Sequence, residues 1–379
     1  MDSNHKTLVS GRRVFLVGLA LPSQPPHVVE EHLDELADLA VSAGAAVAGR
    51  SLQSRKAPHA ATFIGPGKAA SLKRACAETG AELLIFDDDL SPSQVAKLEE
   101  ATDRAVLDRS GLILEIFRAQ ARSREARTQV ELAQLEYQLP RLTRRWTHLS
   151  RQAGGIGLRG GEGETQLEVD RRQLRQRIRR LKKDLEKIEQ TRSVQRSGRR
   201  HMSTVALAGY TNAGKSTLFN QLTNADARVE DRVFATLDSK LRRGALSYDH
   251  IVLFADTVGF IRKLPHHLVA SFRGTLEEVV DADVVVHVVD RSHPAWEEQR
   301  RVGGEVLEDL GIEEERILEV HNKVDRLSSD PVAADHLLVS AETGRGIDEL
   351  KARIAERLGR PRRRHEGGYA RLDSGWPST

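Results

Sequence analysis

Apolar runs and helical repeats alternate over the first third of the chain. Residues 14–19 and 83–86 are continuous apolar runs with the length of buried strands, and a shorter strand-like run covers residues 61–64. Apolar residues recur at helical spacing in residues 27–42, and a second helix is predicted over residues 69–78. Strands that alternate with helices predict an α/β domain with a mostly parallel sheet.

The pattern then changes to leucines spaced for paired helices. Leu132, Leu135, Leu139 and Leu142 are three, four and three positions apart, and Pro140 is expected to end or kink this first helix. A heptad-like stripe follows in residues 167–188, which is typical of two helices packed side by side. The intervening segment is rich in glycine and cannot hold a helix. We therefore predict an antiparallel helical hairpin with a glycine-rich tip, whose second helix is roughly 50 Å long at ~1.5 Å per residue.

A second alternation of strands and helices starts at about residue 203 and predicts a C-terminal Rossmann-like domain. The whole chain is therefore predicted to be α/β with a helical insert. The predicted parts are a disordered terminus, the N-terminal α/β domain, the hairpin, the second α/β domain and a basic, polar tail: residues 1–10, 11–120, 121–198, 199–358 and 359–379.

Composition limits the class of protein. The chain has 379 residues, of which 39% are hydrophobic and 30% charged, and no run approaches the ~20 apolar residues of a membrane span. A single cysteine excludes an internal disulfide, and the first ten residues lack the apolar core of a secretory leader. These features predict a cytoplasmic protein without a membrane span. We also expect the protein to be a monomer.

Positive charge is concentrated in one segment. The net charge is only +3, but residues 171–200 hold thirteen Lys and Arg against three Asp and Glu. Such a stretch either binds a polyanion or forms a solvated helix face, and charge alone does not decide between them.

The segment from Gly209 to Ser216 fits the phosphate-loop pattern G-x-x-x-x-G-K-[ST] between an apolar strand and a predicted helix. Its glycines let backbone N–H groups face phosphates at a helix N-terminus. Lys215 is expected to contact the β- and γ-phosphates, and the Ser216 hydroxyl to bind Mg²⁺. The alternative is a strand–turn–helix with a chance Gly and Lys.

Three later segments of the chain indicate that the match to the phosphate-loop pattern is not due to chance. Asp256 and Gly259 form a D-x-x-G after an apolar strand, where the carboxylate can hold Mg²⁺ through water and the Gly259 N–H can meet the γ-phosphate. Asp325, in Asn-Lys-Val-Asp, can accept hydrogen bonds from the guanine N1–H and 2-amino group, which adenine lacks. The Ala341 N–H is expected to donate to guanine O6. All four motifs follow strands in the order of a GTPase.

The predicted GTP-contacting residues are drawn from these motifs and from the loop between the first two of them. They are Gly209, Tyr210, Thr211, Asn212, Ala213, Gly214, Lys215, Ser216, Thr217, Phe234, Ala235, Thr236, Asp256, Thr257, Val258, Gly259, Asn322, Lys323, Asp325, Ser340, Ala341 and Glu342. Lys215, Thr236 and Gly259 are the predicted catalytic residues, and Ser216, Thr236 and Asp256 the predicted Mg²⁺ site.

Three further positions have less certain roles in GTP hydrolysis: Thr236, Phe260 and Asn212. Thr236 is the candidate for sensing γ-phosphate through Mg²⁺ in a polar loop, but it is also compatible with an ordinary loop threonine. Phe260 stands where many GTPases have a glutamine that orients water, so hydrolysis is expected to need help from a partner, another residue or a monovalent cation. Asn212 is a candidate K⁺ ligand, or a plain loop amide.

Two other groups of residues are weak candidates for binding sites. His266 and His267 lack further metal ligands nearby in the sequence. The glycines before Lys68 open a predicted helix and could bind an anion, although a simple glycine turn explains them as well because the phosphate-loop spacing is absent.

Segments outside the GTPase motifs resemble the HflX family of GTPases. They are FIGPGK at 63–68, FDDDLSP at 86–92, QVELAQLEY at 129–137, PRL at 140–142, GGIG at 154–157, GETQLE at 163–168 and DRR at 170–172. The resemblance spans roughly residues 10–358, and the helical segments are its distinctive part, because many families share the GTPase motifs.

The resemblance implies an N-terminal α/β domain, a helical hairpin and a GTPase domain that uses GTP and Mg²⁺. It also implies binding to the large ribosomal subunit and separation of stalled or idle ribosomes, with the hairpin tip directed toward the peptidyl-transferase region. Some family members have a longer C-terminal domain than this chain.

Two other functions remain open from the residues alone. One is an RNA- or ribosome-binding regulatory factor whose nucleotide site hardly turns over. The other is an ATP-using RNA remodeller acting through the N-terminal domain, which Asp325 disfavours at the main site.

Overall fold

The computed structural model describes residues 8–142, 166–197, 202–224, 234, 240–263, 273–327 and 336–359. The strands within these residues are β1 (Arg13–Ala20), β2 (Ala46–Ser54), β3 (Leu83–Phe86), β4 (Ala105–Asp108), β5 (Thr204–Gly209), β6 (Lys240–Ser247), β7 (His250–Asp256), β8 (Val284–Asp290), β9 (Ile317–Asn322) and β10 (Leu337–Leu338). The α-helices are α1 (Pro26–Ser42), α2 (Pro66–Thr79), α3 (Pro92–Thr102), α4 (Arg109–Gln120), α5 (Arg124–Gln138), α6 (Gln166–Ser197), α7 (Lys215–Thr223), α8 (Arg273–Asp281), α9 (Trp296–Asp309) and α10 (Ile347–Leu358).

The N-terminal sheet has the order β2-β1-β3-β4, and all of its pairings are parallel. This confirms the predicted parallel α/β domain. The strand predicted at residues 61–64 is wrong, because Phe63 lies there in the left-handed region with φ of 62° and closes a tight loop onto His59. The chain instead forms β2 at residues 46–54, an edge strand that pairs with β1 and has no buried position.

Helices α5 and α6 pack antiparallel. Arg192, near the end of α6, pairs with Glu125 at the start of α5, while Arg171 near the start of α6 donates to the Leu142 carbonyl beyond the end of α5. As expected for Pro140, α5 ends at Gln138 and continues only as a 3₁₀ turn. The predicted glycine-rich tip lies outside the described residues.

The C-terminal sheet has the order β10-β9-β8-β5-β7-β6. Its strands run parallel except β6, which pairs antiparallel with β7 at the edge. The central strand β8 is buried at every position, because helices cover both faces of the sheet. The carboxyl ends of β5, β7, β9 and β10 therefore meet at one edge, where ligands bind in sheets of this kind.

One apolar core joins the two α/β domains. It contains Phe117 of α4 together with Tyr210, Phe234 and Phe260 of the C-terminal domain. The Phe117 and Phe234 rings meet edge to face, with centroids 4.7 Å apart. The N-terminal domain therefore packs directly on the loops that follow β5 and β7.

No helix within the described residues combines the length and the apolar character needed to cross a bilayer.

Candidate nucleotide-binding site

The loop between β5 and α7 has a backbone that only glycine permits at two positions. Gly209 has φ of 143°, and a Cβ built there would lie 2.2 Å from the Val288 carbonyl oxygen. Gly214 has φ of 91°, and a Cβ there would lie 2.3 Å from the Asn322 amide nitrogen. The two motif glycines thus allow the loop to pass close to β8 and β9.

Lys215 is fully enclosed by this loop. Its Nζ donates to the carbonyl oxygens of Gly209 and Tyr210, at 3.1 and 2.8 Å. Burial lowers the pKa of Lys215 to about 8, opposed by Asp256 and assisted by Lys323. Two carbonyl oxygens therefore hold the ammonium group at the centre of the loop, and a bound anion would further stabilise its positive charge.

Ser216 and Asp256 meet at the start of α7. The Ser216 hydroxyl donates to Asp256 Oδ2 at 2.7 Å, and the aspartate is fully buried. Hydroxyl and carboxylate oxygens are the ligand atoms that Mg²⁺ prefers, so these residues fit the ion that the motifs imply. Of the other predicted residues, Ala235 and Thr236 lie outside the described residues.

The D-x-x-G segment is bonded to the phosphate loop. The Phe260 N–H donates to the Gly209 carbonyl at 2.9 Å, and its carbonyl accepts from the Thr211 N–H at 2.7 Å. Between these contacts, a Cβ at Gly259 would lie 2.7 Å from Thr211 Cα and 3.1 Å from Lys215 Nζ. The Phe260 ring is only 1% exposed and belongs to the core shared with the N-terminal domain, so this position has a packing role.

Thr211 of the phosphate loop and Thr257 and Val258 of the D-x-x-G segment are all buried. The Thr211 hydroxyl accepts from the Phe234 N–H at 3.0 Å, which places the one described residue of that loop against the phosphate loop. The Thr257 hydroxyl donates to the Leu207 carbonyl at 2.6 Å, and Val258 is buried. Asn212 is exposed with φ of 60°, and Ala213 behind it is fully buried.

Asn322 bridges three of the predicted loops. Its amide nitrogen donates to the Ala213 carbonyl at 2.9 Å, and its oxygen accepts from the Ala341 N–H at 3.0 Å. Since Asn322 is 1% exposed, both bonds are protected from water. The phosphate loop and the loop after β10 are thus held in fixed relation by one side chain.

The other residues predicted to contact the guanine base lie around Asn322. Lys323 Nζ pairs with Asp290 Oδ2 at 2.7 Å, and the Ser340 hydroxyl accepts from the Thr343 N–H at 3.1 Å. Asp325 is exposed, as a residue that receives a base should be. Glu342 lies 3.7 Å from Arg326.

Sequence reasoning missed an ion-pair network below the phosphate loop. Glu35 of α1 accepts from the Tyr210 hydroxyl at 2.8 Å and from both Nε and an Nη of Arg262 at 2.9 and 2.7 Å. It also pairs with buried Arg109, which donates in turn to Asp87 at 2.7 Å. Lys263 pairs with the same Asp87 at 2.8 Å.

These residues are separated by up to 227 positions in the chain, so no local pattern could have revealed them. The network connects the N-terminal domain to residues next to both phosphate-facing loops. Burial raises the pKa of Glu35, but Arg109, Arg262 and the Tyr210 hydroxyl outweigh it, and the net pKa lies below its ordinary value.

Comparison with known proteins agrees with this geometry. Family models match the chain in three consecutive parts: GTP-binding GTPase N-terminal at residues 30–118, GTP-binding GTPase Middle Region at 120–199 and 50S ribosome-binding GTPase at 204–323. A GTPase HflX from Magnetococcus marinus is 46% identical over 372 residues, covering 96% of this chain and 86% of that relative.

A GTPase HflX from Escherichia coli is 46% identical over 338 residues, covering 86% of this chain and 79% of that relative. The crystal structure of a GTP-binding protein from Sulfolobus solfataricus in complex with GDP is similar at 23% identity and a TM-score of 0.45, over 91% of this chain and 98% of that one. The curated relatives, at this identity and coverage, show that the chain belongs to the HflX family of GTPases.

Proposed function

We propose that this protein is a Mg²⁺-dependent GTPase that binds the large ribosomal subunit in its GTP state, separates stalled or idle ribosomes in the cytoplasm and is released by hydrolysis. The observation that carries the nucleotide part is the Asn322 bridge, which holds the phosphate loop and the loop after β10 at one sheet edge. The ribosomal part is supported by the family model for 50S ribosome-binding GTPases and by the basic hairpin.

In this proposal the phosphates of GTP take the place of carbonyls around Lys215. The ammonium group then faces the β- and γ-phosphates, and backbone N–H groups of residues 212–217, together with the Gly259 N–H, donate to phosphate oxygens. Mg²⁺ would be held by Ser216, Thr236 and, through water, Asp256, and supplies positive charge against the phosphates.

Guanine recognition is assigned to the loops that Asn322 connects. Asp325 accepts from the guanine N1–H and 2-amino group, Ala341 donates to O6, and Lys323 covers the base. ATP would leave the Asp325 carboxylate without its two donors, and a site built for such bonds rejects the analogue that lacks them. Ser340 and Glu342 are the neighbours of Ala341 in the loop after β10.

Hydrolysis is expected to be slow without a partner. Phe260 cannot donate or accept a side-chain hydrogen bond, and its ring is buried in the core between the domains. We therefore assign the missing water-orienting group to the ribosome or to a K⁺ ion at Asn212. Bound GTP would order the loops around Thr236 and Gly259 and so favour the conformer that binds the ribosome. The binding energy of this conformer would then separate the ribosomal subunits.

The test is GTP turnover by the full-length protein alone, with isolated large subunits and with isolated small subunits, in K⁺ and in Na⁺ buffer. We expect strong stimulation by large subunits only, with Lys215→Ala as the blank. Faster turnover in K⁺ would support the ion at Asn212, and equal rates would exclude it.

Absence of stimulation despite tight GTP binding would overturn the proposal. The protein would then be an RNA-binding regulatory factor whose nucleotide acts as a switch with little turnover.

A further inference from the structure

A row of polar side chains crosses the C-terminal sheet on the face covered by α9. His287 of β8 is the register partner of Glu319 in β9. Because Leu337 of β10 pairs with Val320, His336 lies beside Glu319 on the other side. His321 is two positions further along β9 and therefore shares the same face. Three imidazoles and a carboxylate thus occupy one patch of a sheet that is otherwise mostly apolar.

Two of these imidazoles present a nitrogen to the same carboxylate oxygen. His321 Nε2 lies 2.9 Å and His336 Nδ1 3.9 Å from Glu319 Oε1. The two rings are stacked, with centroids 4.4 Å apart and planes 13° apart, and Trp296 of α9 lies against His321. One ligand atom from each of Glu319, His321 and His336 falls within 4.8 Å of the others.

We propose that Glu319, His321 and His336 form a binding site for a transition metal ion of the Zn²⁺ class. Two imidazole nitrogens and one carboxylate oxygen are a recognised protein ligand set for Zn²⁺, with a fourth position left for water. The mixed nitrogen and oxygen donors distinguish this site from the Mg²⁺ site at Ser216 and Asp256, whose ligand atoms are all oxygen.

The surroundings allow an ion to enter. The side chain of His336 is 43% exposed, and His336 and Glu319 both line an open cleft of about 1040 Å³ between α9 and α10. Arg300 Nε donates to both oxygens of Glu319 at 2.8 Å, but its side chain is 48% exposed and can move into solvent. A carboxylate also has about four lone-pair positions, enough for a metal ion and one remaining donor.

A metal ion here would join two strands that lead to the base-side loops. His321 immediately precedes Asn322, and the strand after His336 leads to Ser340. The ion would therefore fasten the short strand β10 to β9 at the sheet edge. Because only the folded chain brings the three ligands together, bound metal raises the melting temperature.

The experiment is a Zn²⁺ titration of the full-length protein by calorimetry, with excess Mg²⁺ and GDP present so that the nucleotide site is filled. We expect one ion bound with micromolar or tighter affinity and a higher melting temperature. His336→Ala should weaken binding by about tenfold or more, because it removes one of three ligands. His27→Ala, which removes an exposed imidazole of α1, is the matched control and should bind as the unchanged protein does.

A ligand exchange separates coordination from ring packing. His336→Cys supplies a thiolate, which also binds Zn²⁺, and should restore the affinity that His336→Ala loses. Co²⁺ should give the visible absorption of a tetrahedral ion in the unchanged protein and not in His336→Ala. Equal Zn²⁺ affinity of the unchanged protein and His336→Ala, or loss in His336→Cys as large as in His336→Ala, would overturn the proposal.

Discussion

At the scale of single residues, several motif positions do more than contact nucleotide. Asn322 carries two buried hydrogen bonds between loops, and Phe260 connects the D-x-x-G segment to both the phosphate loop and the N-terminal domain. Lys215 is enclosed by carbonyl oxygens, and its pKa is lowered by burial. The residues that recognise the ligand therefore also hold the site in shape.

The pKa of Lys215 predicts a pH dependence of nucleotide binding. Phosphate favours the charged ammonium, so the complex takes up a proton once the pH exceeds about 8, the pKa in the nucleotide-free protein. We expect GDP affinity to be nearly level around pH 7, to be about twofold lower at pH 8 and to fall more steeply above that, by at most about tenfold per pH unit. Fluorescence titration measures the GDP affinity at each pH. Calorimetry in buffers of different ionisation enthalpy measures the number of protons taken up on binding.

Lys215→Arg is the control, because a guanidinium keeps its charge throughout this range. Its affinity is expected to be lower and independent of pH. Proton uptake of the same size in Lys215→Arg as in the unchanged protein would contradict the assignment to Lys215.

At the scale of elements, the apolar content of each segment decided which strands could be predicted. The runs that became β3, β5, β7 and β9 were visible because both faces of these strands are largely buried. The sequence does not predict β2 and β6, because these edge strands expose many of their positions and show neither a long apolar run nor a regular alternation. The heptad-like stripe of α6 was predictable because its leucines face one partner, α5.

The contact between α5 and α6 rests on a small apolar cluster. Leu181 of α6 is 3% exposed and packs with Leu132 and Ile178. Leu181→Ala is expected to cost ~2–5 kcal/mol of packing free energy in the hairpin. Amide hydrogen exchange should then accelerate in α5 and α6 while the buried strand β8 keeps its protection.

Val194→Ala is the matched control on the same helix, since Val194 is 72% exposed. Its exchange should equal that of the unchanged protein. If Leu181→Ala also leaves exchange in α5 and α6 unchanged, the cluster does not hold the hairpin together.

At the scale of the whole molecule, a carboxylate of α1 joins the two α/β domains. The Glu35 side chain is 14% exposed and contacts Arg109 of its own domain and Arg262 of the other. The phosphate loop, the D-x-x-G segment and the N-terminal domain thus form one packed unit. Sequence patterns could predict each domain, but not this junction, because its partners share no periodicity or motif.

Glu35→Gln is expected to destabilise the protein by ~3–5 kcal/mol, because it removes the carboxylate partner of Arg262 and one of the two carboxylate partners of Arg109, and both guanidinium groups are largely shielded from water. The pKa of Glu35 in the folded protein lies below its ordinary value of 4.5, so its contribution is fully present above pH 4.5 and declines as the pH falls below it. Denaturant unfolding should therefore give a lower free energy of unfolding for Glu35→Gln than for the unchanged protein at pH 7. This difference in free energy should become smaller below pH 4.5.

Asp34→Asn is the matched control. Asp34 is the neighbour of Glu35, but it pairs with Arg50 on the surface, where ion pairs contribute about 0–1 kcal/mol. A loss of stability in Asp34→Asn equal to that in Glu35→Gln would contradict a special role for the buried carboxylate.

The shared core has a consequence for modularity. Phe117 meets Phe234 across the junction and shares one core with Tyr210, and complementary shapes of this kind are maintained only when both sides change together. A chimera that joins this N-terminal domain to the GTPase domain of a distant relative would set unmatched side chains against each other directly under the phosphate loop. The two domains are therefore expected to be inherited and exchanged as a pair, even though each has a complete sheet of its own.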